Sequence, residues 1–310
     1  MVERHEQWMA KYNRVYKDGA EKEQRFEVFK ANVAFIESFN AGNHKFWLGV
    51  NQFTDFTNDE FRATKTNKGL KRNGARAPTG FKYNNISTDA LPTAVDWRTK
   101  GAVTPIKDQG QCGCCWAFSA VAATEGIVKL STGKLVSLSE QELIDCDVHG
   151  VDQGCEGGEM DDAFKFIIKN GGLTTEAIYP YTAQDGQCKT KSISSGCVAT
   201  IKGYEDVPAN DESSLMKAVA NQPISVDVDG GGVIFQHYSS GVMTGSCGTD
   251  LDHGIVAIGY GITSDGTKFW LLKNSWGTTW GESGYLRMEK DISDKSGMCG
   301  LAMQPSYPTK

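Results

Sequence analysis

The first 111 residues of this 310-residue chain contain no cysteine, and all nine thiols fall between positions 112 and 299. Histidine is scarce too, with five in all. No apolar run approaches the roughly 18 residues that a membrane helix needs, the longer ones being short pieces such as GIVAIGY, so no membrane partner is expected. The opening MVERHEQWMA lacks an apolar run before a small-residue cleavage site, so no secretory signal is read there. An excess of positive charge is also missing, the net charge being −6. Residues 1–90 carry 15 Lys and Arg against 11 Asp and Glu, whereas the remainder carries 17 against 27. A basic segment ahead of an acidic body favours docking of one on the other and argues against nucleic acid as a partner.

Cysteines concentrated in one region point to disulfides and an oxidising compartment, and the odd count leaves at least one thiol unpaired. Zinc is the competing use of such residues. However, CGCC followed by Cys146 and Cys155 contains no paired C-x-x-C knuckles, so no metal is expected.

The stretch EKEQRFEVFKANVAFIESFN places Phe26, Phe29, Val33, Ile36 and Asn40 at three- and four-residue steps, with Glu21 and Arg25 able to pair, and predicts a long amphipathic helix. HEQWMAKYNRVY sets Trp8, Tyr12 and Val15 on a similar stripe. Two such helices bury little by themselves and need the body. Residues 62–90 lack periodicity, have linker composition and carry the sequon Asn85-Ile-Ser87.

Beyond Leu91-Pro92 the pattern changes. WAFSAVAATEGIVKLSTGK reads as a buried helix ended at Gly133, SLSEQELIDC as a helix capped by Ser139, and DDAFKFIIKNGG as a third stopped by glycines. After about Lys202, ISVDV, GIVAIGYG, KFWLLKNSW and GYLRMEK read as strands. A helical half followed by a β half predicts α+β organisation, with a cleft between the halves as the natural site.

Within QCGCCWAF only Cys115 abuts the first turn of a predicted helix, where unpaired N–H groups and the helix dipole favour a thiolate. Such a nucleophile needs a base. His5 and His44 lie in the N-terminal segment, His149 in a Gly/Asp-rich loop and His237 in FQHY, while His253 opens the apolar strand LDHGIVAIGYG. A lone histidine beside a strand is more often structural than catalytic.

These segments, with KNSWGTTWGESGYLRM, resemble the papain-like cysteine peptidases, most closely their plant senescence-associated branch. Glu21, Arg25, Phe29, Asn32, Ile36 and Asn40 are similar to the inhibitory-helix pattern of the family's propeptides, and Gly49, Asn51, Phe53 and Asp55 to its second motif. The resemblance implies a two-lobed papain-like fold, with a helical lobe at about 100–205 and a β-barrel-like lobe at about 206–302. An α-helical inhibitory propeptide over 1–90 would precede a mature peptidase over 91–310. It implies Cys115 as nucleophile, His253 as its proton partner, Asn274 as the group that orients the ring, Trp276 as its shield, and Gln109 as an oxyanion donor beside the Cys115 N–H.

The implied bridges are Cys112–Cys155, Cys146–Cys188 and Cys247–Cys299. The implied cleft residues are Gly157, Gly158, Glu159, Met160, Asp227, Leu251, Asp252, Gly254, Trp276 and Gln304. Peptide substrates, the chain's own propeptide as intramolecular inhibitor, no cofactor, a monomer and a vacuolar, lysosome-like or extracellular address complete the implication. Asp55, if ionised and paired when docked, would serve as an acid sensor for release.

Three departures stand out. Cys114 occupies a position usually Ser or Ala and competes with Cys115 for electrophiles, and Cys197 is a further extra thiol. Glu159 and Asp227 put two carboxylates in the pocket for the second residue before the cut. They would favour Arg or Lys there, unless both turn to solvent or impair the pocket. The alternative function is a catalytically impaired binding or storage relative, against which the intact Cys115, His253, Asn274 and Gln109 argue.

Overall fold

A computed structural model describes residues 1–67, 80–189 and 198–310. Cys197 and residues 68–79 lie outside them. At the N-terminus α1 (Val2–Lys11) packs on the 22-residue α2 (Gly19–Asn40), which begins where the Asp18 carboxylate accepts the Glu21 N–H at 2.9 Å. Trp8, Phe29 and Val33 form the small core between them. Asn13 turns the chain at φ 52°, ending the expected stripe early and leaving Val15 89% exposed. Arg25 does not pair with Glu21 as its spacing suggested. Its guanidinium bonds the Glu60 carboxylate at 2.7 Å and the Asp55 carbonyl at 3.1 Å.

The helix α3 (Asn58–Lys65) starts with a capping box between Thr57 and Glu60 and runs into the stretch read as linker. Residues 80–90 are bound as well: Tyr83 is buried and its hydroxyl donates to Gln222 at 2.9 Å. Linker composition therefore concealed packed chain. The Asn85 side chain is exposed.

The helical lobe consists of α4 (Cys115–Thr132), α5 (Glu140–Cys146) and α6 (Met160–Asn170). Ser139 caps α5 by accepting the Glu142 N–H, and Gly133 and Gly171 end α4 and α6 with φ of 75° and 78°. The strands are β1 (Phe46–Leu48), β2 (Val95–Asp96), β3 (Gly203–Asp206), β4 (Ile224–Val228), β5 (Tyr238–Met243), β6 (His253–Ile262), β7 (Lys268–Lys273), β8 (Tyr285–Glu289) and β9 (Ser306–Thr309). They form one mixed sheet in the order β1-β5-β8-β7-β6-β4-β9-β3, with β2 on β6 and a parallel β5–β8 pair. The path ends at β1 and β3, so this barrel-like lobe is an open sheet.

β2 pairs with β6, and β9 pairs with β3 and touches β4. β1 belongs to the N-terminal segment, and its antiparallel pairing with β5 makes that segment an edge of the sheet. One core accordingly joins Ile36, Phe46, Leu48, Phe53 and Phe61 to the strand lobe, and a second lies among α4, α5 and α6. The disulfides are Cys112–Cys155, Cys146–Cys188 and Cys247–Cys299. No helix among the described residues is long and apolar enough to cross a membrane.

Candidate active site

Cys115 is the first residue of α4, whose opening turn has no side-chain cap. Its thiol is buried and faces the N–H groups of Gly254 and Trp116. The helix is tied across the cleft to the sheet: Ser119 Oγ donates to the Ile255 carbonyl at 2.7 Å and Ser225 Oγ to the Ser119 carbonyl at 3.2 Å. Gly254 lies against α4 here, a Cβ on it standing 3.4 Å from the Cys115 backbone and 3.2 Å from Met160 Sδ. The residue next to His253 thus touches Cys115.

His253 opens β6 opposite Val228. Its Nε2 is 2.8 Å from Asn274 Oδ1, which also accepts the Ser275 N–H at 2.8 Å. That second bond fixes which amide atom is oxygen. The ring must then carry its proton on Nε2, leaving Nδ1 as the basic nitrogen. Nδ1 is buried with no hydrogen-bond partner among the described residues. Trp276 stacks on the ring at 4.4 Å between centroids, and Phe53 and Phe61 of the N-terminal segment stand edge-on to Trp276 at 5.9 and 5.1 Å.

The side chain of Gln109 is oriented by Ser275 Oγ, which donates to its Oε1 at 2.7 Å. Its Nε2 donates to the Cys112 carbonyl at 2.9 Å and to the Lys65 carbonyl at 3.3 Å. Lys65 is the last residue of α3, so the N-terminal segment occupies this donor. Its ammonium is buried, bonds the Gly110 carbonyl and lies 4.9 Å from the Phe53 ring, and burial brings its pKa down to about 8. The chain then passes Asn67, whose N–H donates to the Asp252 carbonyl at 2.7 Å and whose Nδ2 donates to the Gly158 carbonyl at 2.8 Å. Gly157, at φ 125°, leaves room for it, since a Cβ there would meet Asn67 Oδ1 at 1.7 Å.

The other cleft candidates are distributed as follows. Glu159 precedes α6, Met160 is its buried first residue, and Asp227 stands opposite Gly254 on β4. Asp252 Oδ1 accepts the N–H groups of Gly230 and Gly231, and its other oxygen is 3.8 Å from Arg62 of α3. Leu251 and Gln304 are half-buried, the latter two residues before the bridge of Ser306 to Ser225.

Burial dominates the electrostatics with the segment in place. It pushes the Cys115 thiol up to about 12, helped by the charges of Asp227 and Asp252, and brings His253 down to about 4. Burial thus favours the neutral form of both groups, against the thiolate that the helix start alone would favour. Asp55 is paired, as expected, with Arg14 and Tyr16. Burial raises its pKa, outweighing Arg14 at 3.4 Å and the Tyr16 hydroxyl at 2.9 Å.

Cys114 is buried in the core of the helical lobe. Its Sγ is 3.1 Å from the Tyr181 hydroxyl, which spends its proton on the Gln109 carbonyl at 2.6 Å, so the Cys114 S–H is the donor of the pair. Ser275, Lys65, Asn67 and Gln236, whose amide donates to the Phe53 and Phe56 carbonyls, were not found by the sequence reading. Only Ser275, beside Asn274, and the Thr57-x-x-Glu60 box leading to Lys65 carried a local signal.

Comparison with known proteins agrees over both parts of the chain. The family model described as papain family cysteine protease matches residues 91–309, and that of the cathepsin propeptide inhibitor domain matches residues 5–61. The senescence-specific cysteine protease SAG39 of Oryza sativa subsp. indica is 80% identical over 309 residues, covering 100% of this chain and 90% of that protein. SAG12 of Arabidopsis thaliana is 57% identical over 315 residues, covering 100% and 90%. The structure of a recombinant stem bromelain precursor superimposes with a TM-score of 0.92 at 48% identity, covering 99% of this chain and 98% of that one. A cleft built on Cys115 and His253, crossed by the chain's own N-terminal segment, is thus accounted for by descent: this chain belongs to the papain family of cysteine proteases and carries a cathepsin-type propeptide inhibitor domain.

Proposed function

We propose that the chain is the latent form of an endopeptidase that cleaves through a thioester on Cys115, with residues 1–90 as inhibitor and 91–310 as enzyme. The carrying observation is the His253 ring, proton on Nε2 toward Asn274 and Nδ1 unpartnered, on the residue adjoining the Cys115 contact. Once the cleft is wetted, Nδ1 takes the thiol proton and Sγ attacks the peptide carbonyl carbon. Gln109 Nε2–H and the Cys115 N–H receive the oxygen's charge. The C–N bond breaks as His253 returns the proton to the amine. Water then adds to the thioester, giving its proton to the ring, and the carboxylic acid leaves as the thiol re-forms. No cofactor enters these steps.

Latency follows from the same contacts. Lys65 and Asn67 hold the Gln109 amide and the Gly158 carbonyl, and a path running opposite to a substrate keeps the segment uncut. Release in acid fits two buried histidines. His237 has no partner for either ring nitrogen among the described residues, and burial brings it to about 4. His5, packed among Trp8, Tyr16, Phe26 and Phe29, is lowered by burial as well. A histidine lowered below its ordinary value costs nothing above about pH 6.5 and destabilises the closed state as pH falls from there toward its folded value. Asp55 works the other way, because a raised carboxyl pKa stabilises the closed state as pH falls.

Asp227, which bears on the Cys115 thiol, and Glu159 give the cleft an acidic wall that favours Arg or Lys at the second position before the cut. Three disulfides fit a secretory or vacuolar address. Acid treatment followed by an epoxysuccinyl thiol-peptidase inhibitor and intact-mass analysis tests the assignment. One equivalent on Cys115, with loss of the N-terminal segment, supports it, and an unlabelled folded protein refutes it. Matched peptides with Phe or Arg at the second position test the wall, a strong Phe preference at neutral pH counting against it.

A further inference from the structure

Behind the cleft edge Gly157–Glu159 lie two carboxyls that the reaction does not use. Asp152 is completely buried, and its Oδ1 accepts the Glu159 N–H at 2.6 Å. Asp147 ends α5, its own N–H bonded to the Leu143 carbonyl. The two carboxyl groups are close enough to perturb each other, and Oδ2 of each is buried with no donor among the described residues. Two carboxylate oxygens both accept, so a bond between them requires a proton.

The surroundings supply no substitute for that proton. Asp162 adds repulsion to both groups, and the Lys165 ammonium is bonded to Asp162 at 2.6 Å. His149 and Lys169 bear on Asp147 only. Asp152 also sits directly under the cleft edge: a Cβ on Gly158 would stand 2.6 Å from its Oδ1, while the opposite side of this edge holds Asn67 through the Gly158 carbonyl. Nearby, Gln153 N–H donates to the Gly157 carbonyl at 2.8 Å and Trp116 Nε1–H to the Gly154 carbonyl at 3.1 Å.

We propose that Asp147 and Asp152 share one proton and together position Gly157–Glu159 for peptide binding, so that substrate affinity falls when the proton is lost. The inference rests on the reading of that edge as the substrate cleft. Both acids are positioning residues. Burial raises both, with repulsion from Asp162 adding to each and Asp147 adding to the rise of Asp152. With the folded value raised, the contribution is present in acid and is lost as pH rises through it.

Asp152→Asn keeps the oxygen that accepts from Glu159 and brings its own N–H to Asp147, removing the need for a proton. Asp147→Asn does the same from the other side. The full chain, activated in acid, is assayed for peptide hydrolysis as pH is raised. The parent's KM should climb on the alkaline limb with kcat following its own profile, while either variant holds KM flat, a separation of roughly tenfold for each unit by which the pair is linked to binding. Superimposable KM profiles for the parent and both variants overturn the proposal. Thermal melting of the unprocessed chain gives a readout independent of activity. The parent should lose Tm relative to the variants as pH rises, and parallel curves mean that no proton is shared, whether or not the protein proves to be a peptidase. Failure of the peptidase reading would instead leave Cys115 unlabelled in acid.

Discussion

The Gln109 side-chain amide donates to the backbone carbonyl of Lys65 at 3.3 Å. The donor proposed to meet developing negative charge during catalysis is held, in the latent chain, by a neutral carbonyl of the inhibitor. Neutral–neutral hydrogen bonds are the weaker kind. The segment therefore occupies the donor without obtaining the stabilisation reserved for an oxyanion.

Replacing Gln109 by Ala should accordingly separate catalysis from latency. Turnover by the activated enzyme is expected to fall by about 10²–10³-fold with KM little changed. The zymogen should melt close to the parent, since Phe53, Phe61 and Asn67 still dock. Steady-state kinetics with thermal melting checks this, and an unchanged kcat would remove Gln109 from the oxyanion role.

The adjacent thiols should behave differently. Cys114→Ser preserves a donor to Tyr181, so activity within about twofold of the parent and one equivalent of epoxysuccinyl label are expected. Cys115→Ser should take no label and leave the chain unprocessed. Labelling on residue 114 in the parent would reverse the assignment.

Acid release should follow the histidines. With His237 at about 4 against 6.5 when exposed, the penalty for keeping it buried grows as pH falls across that window. His237→Phe and His5→Phe should move the onset of self-processing to lower pH. Asp55→Asn, which mimics the protonated carboxyl, should leave the chain latent at neutral pH. Gel-resolved processing rates across the pH series decide, and rapid neutral processing of Asp55→Asn would restore that carboxyl as the trigger.

Phe61 is fully buried against Trp276. Its replacement by Ala opens a cavity at the seam between inhibitor and enzyme, with a cost of about 3–5 kcal/mol. The zymogen should lose Tm and hydrolyse peptide at neutral pH without acid treatment, whereas the activated enzyme is unaffected. A fully latent variant would show that Phe61 does not secure the segment.

How much of this was legible in the sequence depended on whether the signal was local. The buried helix starting at Cys115, the Ser139 cap and the apolar β6 followed from spacing and capping chemistry alone. The proposed partnership of Cys115 with His253 joins positions far apart in the chain, and no periodicity carries such a pairing; it came from resemblance. Arg25 defeated a helical-pair reading because a partner on another helix, Glu60, was better placed. The linker composition of residues 62–90 hid Lys65 and Tyr83, because what those residues bind lies in the enzyme. Asp55 shows a related limit: its pairing can be anticipated from sequence, but the burial that raises its pKa cannot.

The pairing of β1 with β5 separates two events that are easily treated as one. A cut anywhere in the connecting stretch breaks covalent continuity, yet Phe46–Leu48 would remain laced into the sheet by its backbone. Freedom comes only when that border strand peels away, so a nicked, still-silent complex should accumulate wherever scission outruns peeling. The border then laid bare includes Ser239, Ser240 and Gly241, a short polar hem poorly suited to recruiting another chain.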